Sequence, residues 1–118
     1  MPRFAVLRHD SPCGLHWDLL LEMGETLKTW ALSQPPKAGV EISCEALPDH
    51  RLAWLDYEGP VSGDRGWVVR WDEGRYQLQQ QSEDELTVVL TGQWLVGRAS
   101  LRQVPDQPGQ WRFVLAAP

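Results

Sequence analysis

Apolar and polar residues alternate with a period of two through most of this chain, and glycine, proline or acidic turn pairs interrupt the alternation at short intervals. Side chains two apart in an extended strand share a face, so this pattern constrains the fold to β-structure. In Gly66 to Trp71, for example, Val68, Arg70 and then Asp72 fall on one face, and Trp67, Val69 and Trp71 on the other. No window of about 11 residues carries a clean 3.6-residue apolar stripe; Asp18 to Leu27 comes nearest. The pattern predicts strands at Arg3 to Arg8, His16 to Met23, Thr26 to Ser33, Arg51 to Tyr57, Gly66 to Trp71, Arg75 to Gln81, Glu85 to Leu90, Trp94 to Val104 and Gln110 to Ala116. Gly24-Glu25 and Asp72-Glu73-Gly74 read as hairpin turns, Pro35-Pro36 as a break, and Ser62 to Gly66 as a turn-rich loop. With 118 residues, no repeat and no linker, the chain reads as a single domain over 1–118. Many short strands imply an antiparallel sandwich or a small closed β-barrel, and closure is favoured because it removes exposed strand edges. Seven tryptophans fit such a core better than they fit a set of base-stacking platforms.

Composition excludes several functional classes. The charge balance of 11 basic against 16 acidic residues leaves a net charge of −5, which argues against a charge-driven grip on long nucleic acid. No apolar run approaches the roughly 18 residues of a membrane helix, and Met1 to His9 has no signal-peptide core, so a cytoplasmic chain without membrane contact is expected. Two cysteines, Cys13 and Cys44, make no disulfide framework. The three histidines all fall in the first 50 residues, and each stands beside an aspartate: His9 before Asp10, His16 two before Asp18, His50 after Asp49. On a strand, His16 and Asp18 present an imidazole and a carboxylate on one face. His9 can join them if the Ser11-Pro12-Cys13-Gly14 turn folds the chain back, and His50 can arrive from a neighbouring strand. One such pair alone is ordinarily a solvated surface pair. All three together point to a shared metal or acid/base site. Cys13, between two of the histidines, is either a soft-metal ligand or a free thiol.

Ordered motifs then carry a resemblance. His9-Asp10, Leu15-His16-Trp17-Asp18 and Leu21-Glu22 resemble the opening motif of the 3′-phosphoesterase domain family of bacterial DNA ligase D. The likeness continues through Leu27-Lys28-Thr29-Trp30-Ala31, Asp49-His50-Arg51-Leu52, Asp56-Tyr57-Glu58-Gly59, Trp71-Asp72-Glu73-Gly74 and Leu95-Val96-Gly97-Arg98. The resemblance implies a small closed antiparallel β-barrel with a central polar crevice. It implies a divalent metal, manganese first and zinc or cobalt next, held by His9, His16 and Asp18. It further implies that His50 acts on the phosphate, and that the substrate is a phosphate ester, whether a 3′-phosphate or ribonucleotide end of nucleic acid or a small phosphoester.

Departures from the family pattern cluster at its phosphate contacts. Leu20 stands where the family has an arginine, Gln34 where it has a lysine, Trp54 where it has a tyrosine, and Pro48 where it has a glutamate; Trp54 is therefore the candidate substrate-binding residue. Losing an arginine and a lysine removes two charge-assisted contacts, each worth roughly 1.5–3 kcal/mol. Two other readings follow. In one, the barrel binds metal or nucleotide without turnover. In the other, His16, Asp18 and His50 form a 2-His-1-carboxylate iron site of the oxygenase type. The chain is short for the double-stranded β-helix that usually surrounds such an iron site.

Overall fold

A computed structural model describes residues 1–117. Nine antiparallel strands form one sheet: β1 (Arg3–Ser11), β2 (Gly14–Met23), β3 (Thr26–Leu32), β4 (Ile42–Arg51), β5 (Gly59–Pro60), β6 (Trp67–Gln81), β7 (Glu85–Gly92), β8 (Val96–Gln103) and β9 (Gln110–Ala116). The pairing order is β1-β2-β3-β4-β9-β8-β7-β6-β5, and β6 also pairs with β1, so eight strands make a ring of hydrogen bonds with the two-residue β5 added to β6. The all-β antiparallel expectation holds. No helix among the described residues is long and apolar enough to cross a membrane.

Strand alternation decides where the core sits. Phe4, Val6, Leu19, Leu21, Leu32, Ile42, Val88, Leu101, Phe113 and their neighbours from all eight ring strands form one buried cluster. Side chains thus fill the interior of the ring, as the width of an eight-stranded ring demands. The intervening residues Ala5, Leu7 and Leu20 face the other way and form a second buried cluster with Leu27, Leu55, Val61 and Val68. A 3-10 helix, Leu52–Asp56, covers this outer cluster.

The 3-10 helix corrects the strand expected at Arg51 to Tyr57. Leu52 and Leu55, three apart, both pack on the outer cluster, which suits a helix of three residues per turn. Burying Leu55 contributes about 1.5–3 kcal/mol toward that choice. The sequence reading also missed most of β4, where alternation is clear only at Ile42 and Cys44.

Asp72-Glu73-Gly74 is a second correction, because it lies inside the 15-residue β6 rather than at a turn. The Asp72 carboxylate is buried and accepts hydrogen bonds from the backbone N–H groups of Glu73, Gln93, Trp94 and Leu95 at 2.8–3.3 Å. It therefore holds the β7–β8 turn instead of making one of its own. Gly74 is required by close approach: a Cβ there would lie 2.1 Å from the Thr91 carbonyl oxygen. The tryptophan expectation holds only in part. Trp30 and Trp111 are buried edge-to-face at 5.7 Å, and Trp17 and Trp71 pack against the core, but Trp67 and Trp94 are 53% and 75% exposed. Trp94 precedes β8, which begins at Val96.

Candidate metal and phosphate site

The β1–β2 hairpin builds the site. Its register places His9 directly opposite His16, and Leu7 opposite Asp18. His9 shares a face with Ala5 and Leu7, while His16 and Asp18 share one with Leu20, so all three project on the side of the outer cluster. The expected central crevice is corrected accordingly. The inside of the ring is apolar, and the groove of about 670 Å³ opens beside these three polar side chains, reaching Leu32 and Cys44 at the edge of the interior cluster. His9, His16, Asp18, His50 and Arg65 line it, together with residues of β3 and β4.

Asp18 is the centre of the cluster. It is a buried carboxylate with His9 Nδ1 3.2 Å from Oδ2 and His16 Nε2 3.1 Å from Oδ1. Donor atoms of His9, His16 and Asp18 all lie within 4.8 Å of one another. The imidazole rings of His9 and His16 are 4.5 Å apart, centroid to centroid. Burial pushes the Asp18 carboxyl upward in pKa, but its contacts with His16 and His9 outweigh that and hold it below the usual carboxylate value. The His9 imidazole is raised, chiefly by its hydrogen bond to Asp18, with burial opposing and the Arg65 carbonyl assisting.

The hydrogen-bond pattern around His9 bears on whether the cluster suits a cation. His9 Nε2 lies 2.8 Å from the Arg65 carbonyl oxygen, which can only accept, so Nε2 carries a proton. A neutral His9 then turns its Nδ1 lone pair toward the Asp18 carboxylate, an arrangement satisfied by a second proton or by a shared cation. Asp18 Oδ1 faces His16 Nε2 at 3.1 Å without an aligned hydrogen bond, so a cation between the two atoms would satisfy both. Two imidazoles and a carboxylate, with one imidazole anchored through its far N–H to a backbone carbonyl, fit a divalent transition metal. Ligand atoms about 2.0–2.2 Å from one ion sit roughly 3–4 Å apart, as the nearest pairs do here. Cys13 lies along the groove but outside this cluster.

His50, near the end of β4, reaches the same groove without joining the cluster. Its Nδ1 donates to the Pro48 carbonyl at 2.9 Å, leaving Nε2 for other chemistry. Trp54, on the 3-10 helix, packs edge-on to His50 at 6.0 Å and to Tyr57 at 5.2 Å. It lines a small pocket behind the site with Leu20, His9, Asp18 and His50, and is not a wall of the main groove. Leu20 is fully buried in the outer cluster, as its shared face with Asp18 required. Gln34 is exposed and does not line the groove.

The loop 62–66 contributes a contact that sequence reading did not foresee, the Arg65 carbonyl on His9. Gly66 makes it fit: its φ is +91°, and a Cβ there would stand 1.7 Å from the Asp10 carbonyl oxygen. The glycine-rich spacing of Gly63 and Gly66 was the available signal, but it reads only as a turn. Gly66→Ala should cost more than the roughly 1–2 kcal/mol of left-handed strain, because the loop must also move. If the cluster holds manganese, displacing the Arg65 carbonyl should weaken that binding about 10- to 100-fold, measured by manganese titration beside urea unfolding.

The family model for the DNA ligase D 3′-phosphoesterase domain matches residues 7–103. The chain is 30% identical, over 129 aligned positions covering 97% of its length, to the multifunctional non-homologous end joining protein LigD of Pseudomonas aeruginosa. It spans 15% of that relative's length.

Proposed function

The chain belongs to the DNA ligase D 3′-phosphoesterase domain family, and on that premise we propose that it is a divalent-metal-dependent phosphoesterase acting on 3′-phosphate or ribonucleotide ends, or on a small phosphoester of similar chemistry. The observation that carries this reading is the buried Asp18 carboxylate between His9 and His16, with an imidazole nitrogen 3.1–3.2 Å from each of its oxygens. His9, His16 and Asp18 would hold the ion, manganese in first place with zinc or cobalt as other candidates. Bound there, a divalent metal supplies Lewis acidity toward a phosphoryl oxygen and lowers the pKa of water. The ring of strands serves in this reading as a small closed barrel, a stiff frame that keeps the two histidines in register.

The chain's own residues supply the rest. His50, anchored at Nδ1 by the Pro48 carbonyl, offers Nε2 as the atom that hydrogen-bonds the phosphoryl group or gives a proton to the departing oxygen. The edge of Trp54 fixes the His50 ring from behind and closes the apolar side of the site. Arg65 orients His9 through its carbonyl.

The test is a metal-titrated assay on oligonucleotides ending in a 3′-phosphate or a 3′-ribonucleotide, with His16→Ala as the inactive control. Manganese binding without turnover of any phosphomonoester or diester would overturn catalysis in favour of a metal- or nucleotide-binding domain, the reading that the apolar Leu20 supports. His50→Ala is expected to lower kcat by about 10²- to 10⁴-fold while manganese affinity stays within about threefold, because His50 lies outside the ligand cluster. Equal losses of metal and rate in that variant would contradict its separate role.

A further inference from the structure

Besides the ion proposed at His9, His16 and Asp18, the walls of the groove offer one cationic side chain for an anionic substrate. A phosphoryl end brings up to two negative charges into a groove that already holds the Asp18 and Glu45 carboxylates. Leu7, Leu20, Val61 and Val68 make the neighbouring wall apolar, which strengthens any charge contact made against it but supplies none. Among the described residues lining the groove and the pocket behind it, Arg65 is the one arginine or lysine.

Arg65 is held in place from two sides. Its Nε donates to the Ser62 carbonyl at 2.7 Å, and one terminal nitrogen, Nη2, lies 3.2 Å from Ser62 Oγ. The other terminal nitrogen, Nη1, makes no hydrogen bond within the described residues. The backbone is pinned by Arg65 N–H to the Val61 carbonyl, by Val61 N–H to the Gly66 carbonyl, and by its own carbonyl on His9. A pre-positioned guanidinium loses less side-chain entropy on gripping an anion than a free one does.

We infer that Arg65 is the phosphoryl-binding residue of this site, its side chain taking the substrate's phosphate while its carbonyl orients the metal-binding face of His9. The inference rests on the phosphoesterase reading and narrows it: the loop 62–66 is the specificity element, and the ligand it selects is a terminal phosphate or phosphodiester. One residue thereby ties the anion subsite to the metal cluster, since the backbone that presents the guanidinium also seats His9.

The experiment is calorimetric titration of inorganic phosphate into the manganese-loaded chain, with manganese affinity measured separately for each variant. Arg65→Gln keeps the backbone carbonyl and should weaken phosphate binding about 10- to 100-fold, the loss of one or two charge-assisted bonds, with manganese affinity within about threefold. Arg65→Lys should recover part of the loss, because the charge returns without the planar fork. Arg102→Gln, a surface arginine beside Glu85, should change neither. Phosphate binding to Arg65→Gln at the wild-type affinity would overturn the inference. So would equal losses of manganese and phosphate, which would make Arg65 only a prop of its loop, and so would failure of the manganese-loaded wild type to bind phosphate. Turnover is read apart from binding. A chain that binds phosphate through Arg65 yet cleaves neither oligonucleotide overturns hydrolysis and leaves the subsite. A chain that cleaves both with an unaltered KM in Arg65→Gln overturns the subsite and leaves hydrolysis.

Discussion

Asp18→Asn is expected to remove metal binding and activity together. The amide keeps the shape of the carboxylate but loses the charge that the two imidazoles face at 3.1 and 3.2 Å. With Asp18 a direct ligand, as proposed, manganese affinity should fall by at least the roughly 10- to 100-fold typical of losing an outer-shell partner. The metal-free protein gives an independent readout. The hydrogen bond to Asp18 is the largest cause of the raised His9 pKa, so in the variant the His9 ring should titrate nearer its ordinary value of 6.5, followed by NMR. The sign for stability follows from the same shifts. His9, raised in the folded state, contributes stability that is complete below pH 6.5 and is lost as the pH climbs through its folded value. Asp18, lowered in the folded state, contributes stability that is complete above pH 3.8 and is lost as the pH falls through its folded value. The pair therefore stabilises most between about pH 4 and 6.5, and Asp18→Asn should lower stability within that window and flatten its fall on either side. A His9 titration unchanged by the substitution, or manganese bound as before, would remove Asp18 from the centre of the site.

Asp72→Ala should produce the largest loss of stability away from the site. The wild-type carboxylate satisfies the N–H groups of Gln93, Trp94 and Leu95 across the β7–β8 turn as well as that of Glu73. Each backbone donor left without a partner costs about 1–3 kcal/mol where water cannot replace the acceptor. With water reaching part of the turn, a total near 3–5 kcal/mol is expected, which lowers the Tm of a domain of this size on the order of 15 °C. Asp72→Asn should also destabilise, because a carboxamide N–H would face the donors of Trp94 or Leu95. Manganese affinity of the folded variant should be unaltered, as Asp72 does not line the groove. A stability loss below about 1 kcal/mol in urea unfolding would mean that the turn holds itself without the carboxylate.

These two aspartates show how unevenly the chain can be read from its residues. Both stand in short motifs that resemble the family, yet only Asp18 announced its role, through a histidine two residues away on the same strand face. Asp72 precedes a glycine by two and reads as a turn. Its actual partners lie 21 to 23 residues along the chain, beyond the reach of any local rule.

Period-two alternation determined the strand class, the β2–β3 hairpin at Gly24-Glu25, the span of β9 and the shared face of His16, Asp18 and Leu20, because these depend on neighbours along one strand. Alternation says which residues go together but not which side is inward. Only ring closure, with β6 pairing back onto β1, decided that the apolar set fills the interior and that the histidines face a groove beside it. Tertiary structure likewise made Leu52–Asp56, within the strand expected at Arg51 to Tyr57, a 3-10 helix, since the outer cluster rewards two leucines three residues apart. It also left Trp67 and Trp94 in solvent, and it set the Arg65 carbonyl on His9. That last contact joins residues 56 positions apart, through a glycine that alone leaves room for the Asp10 backbone.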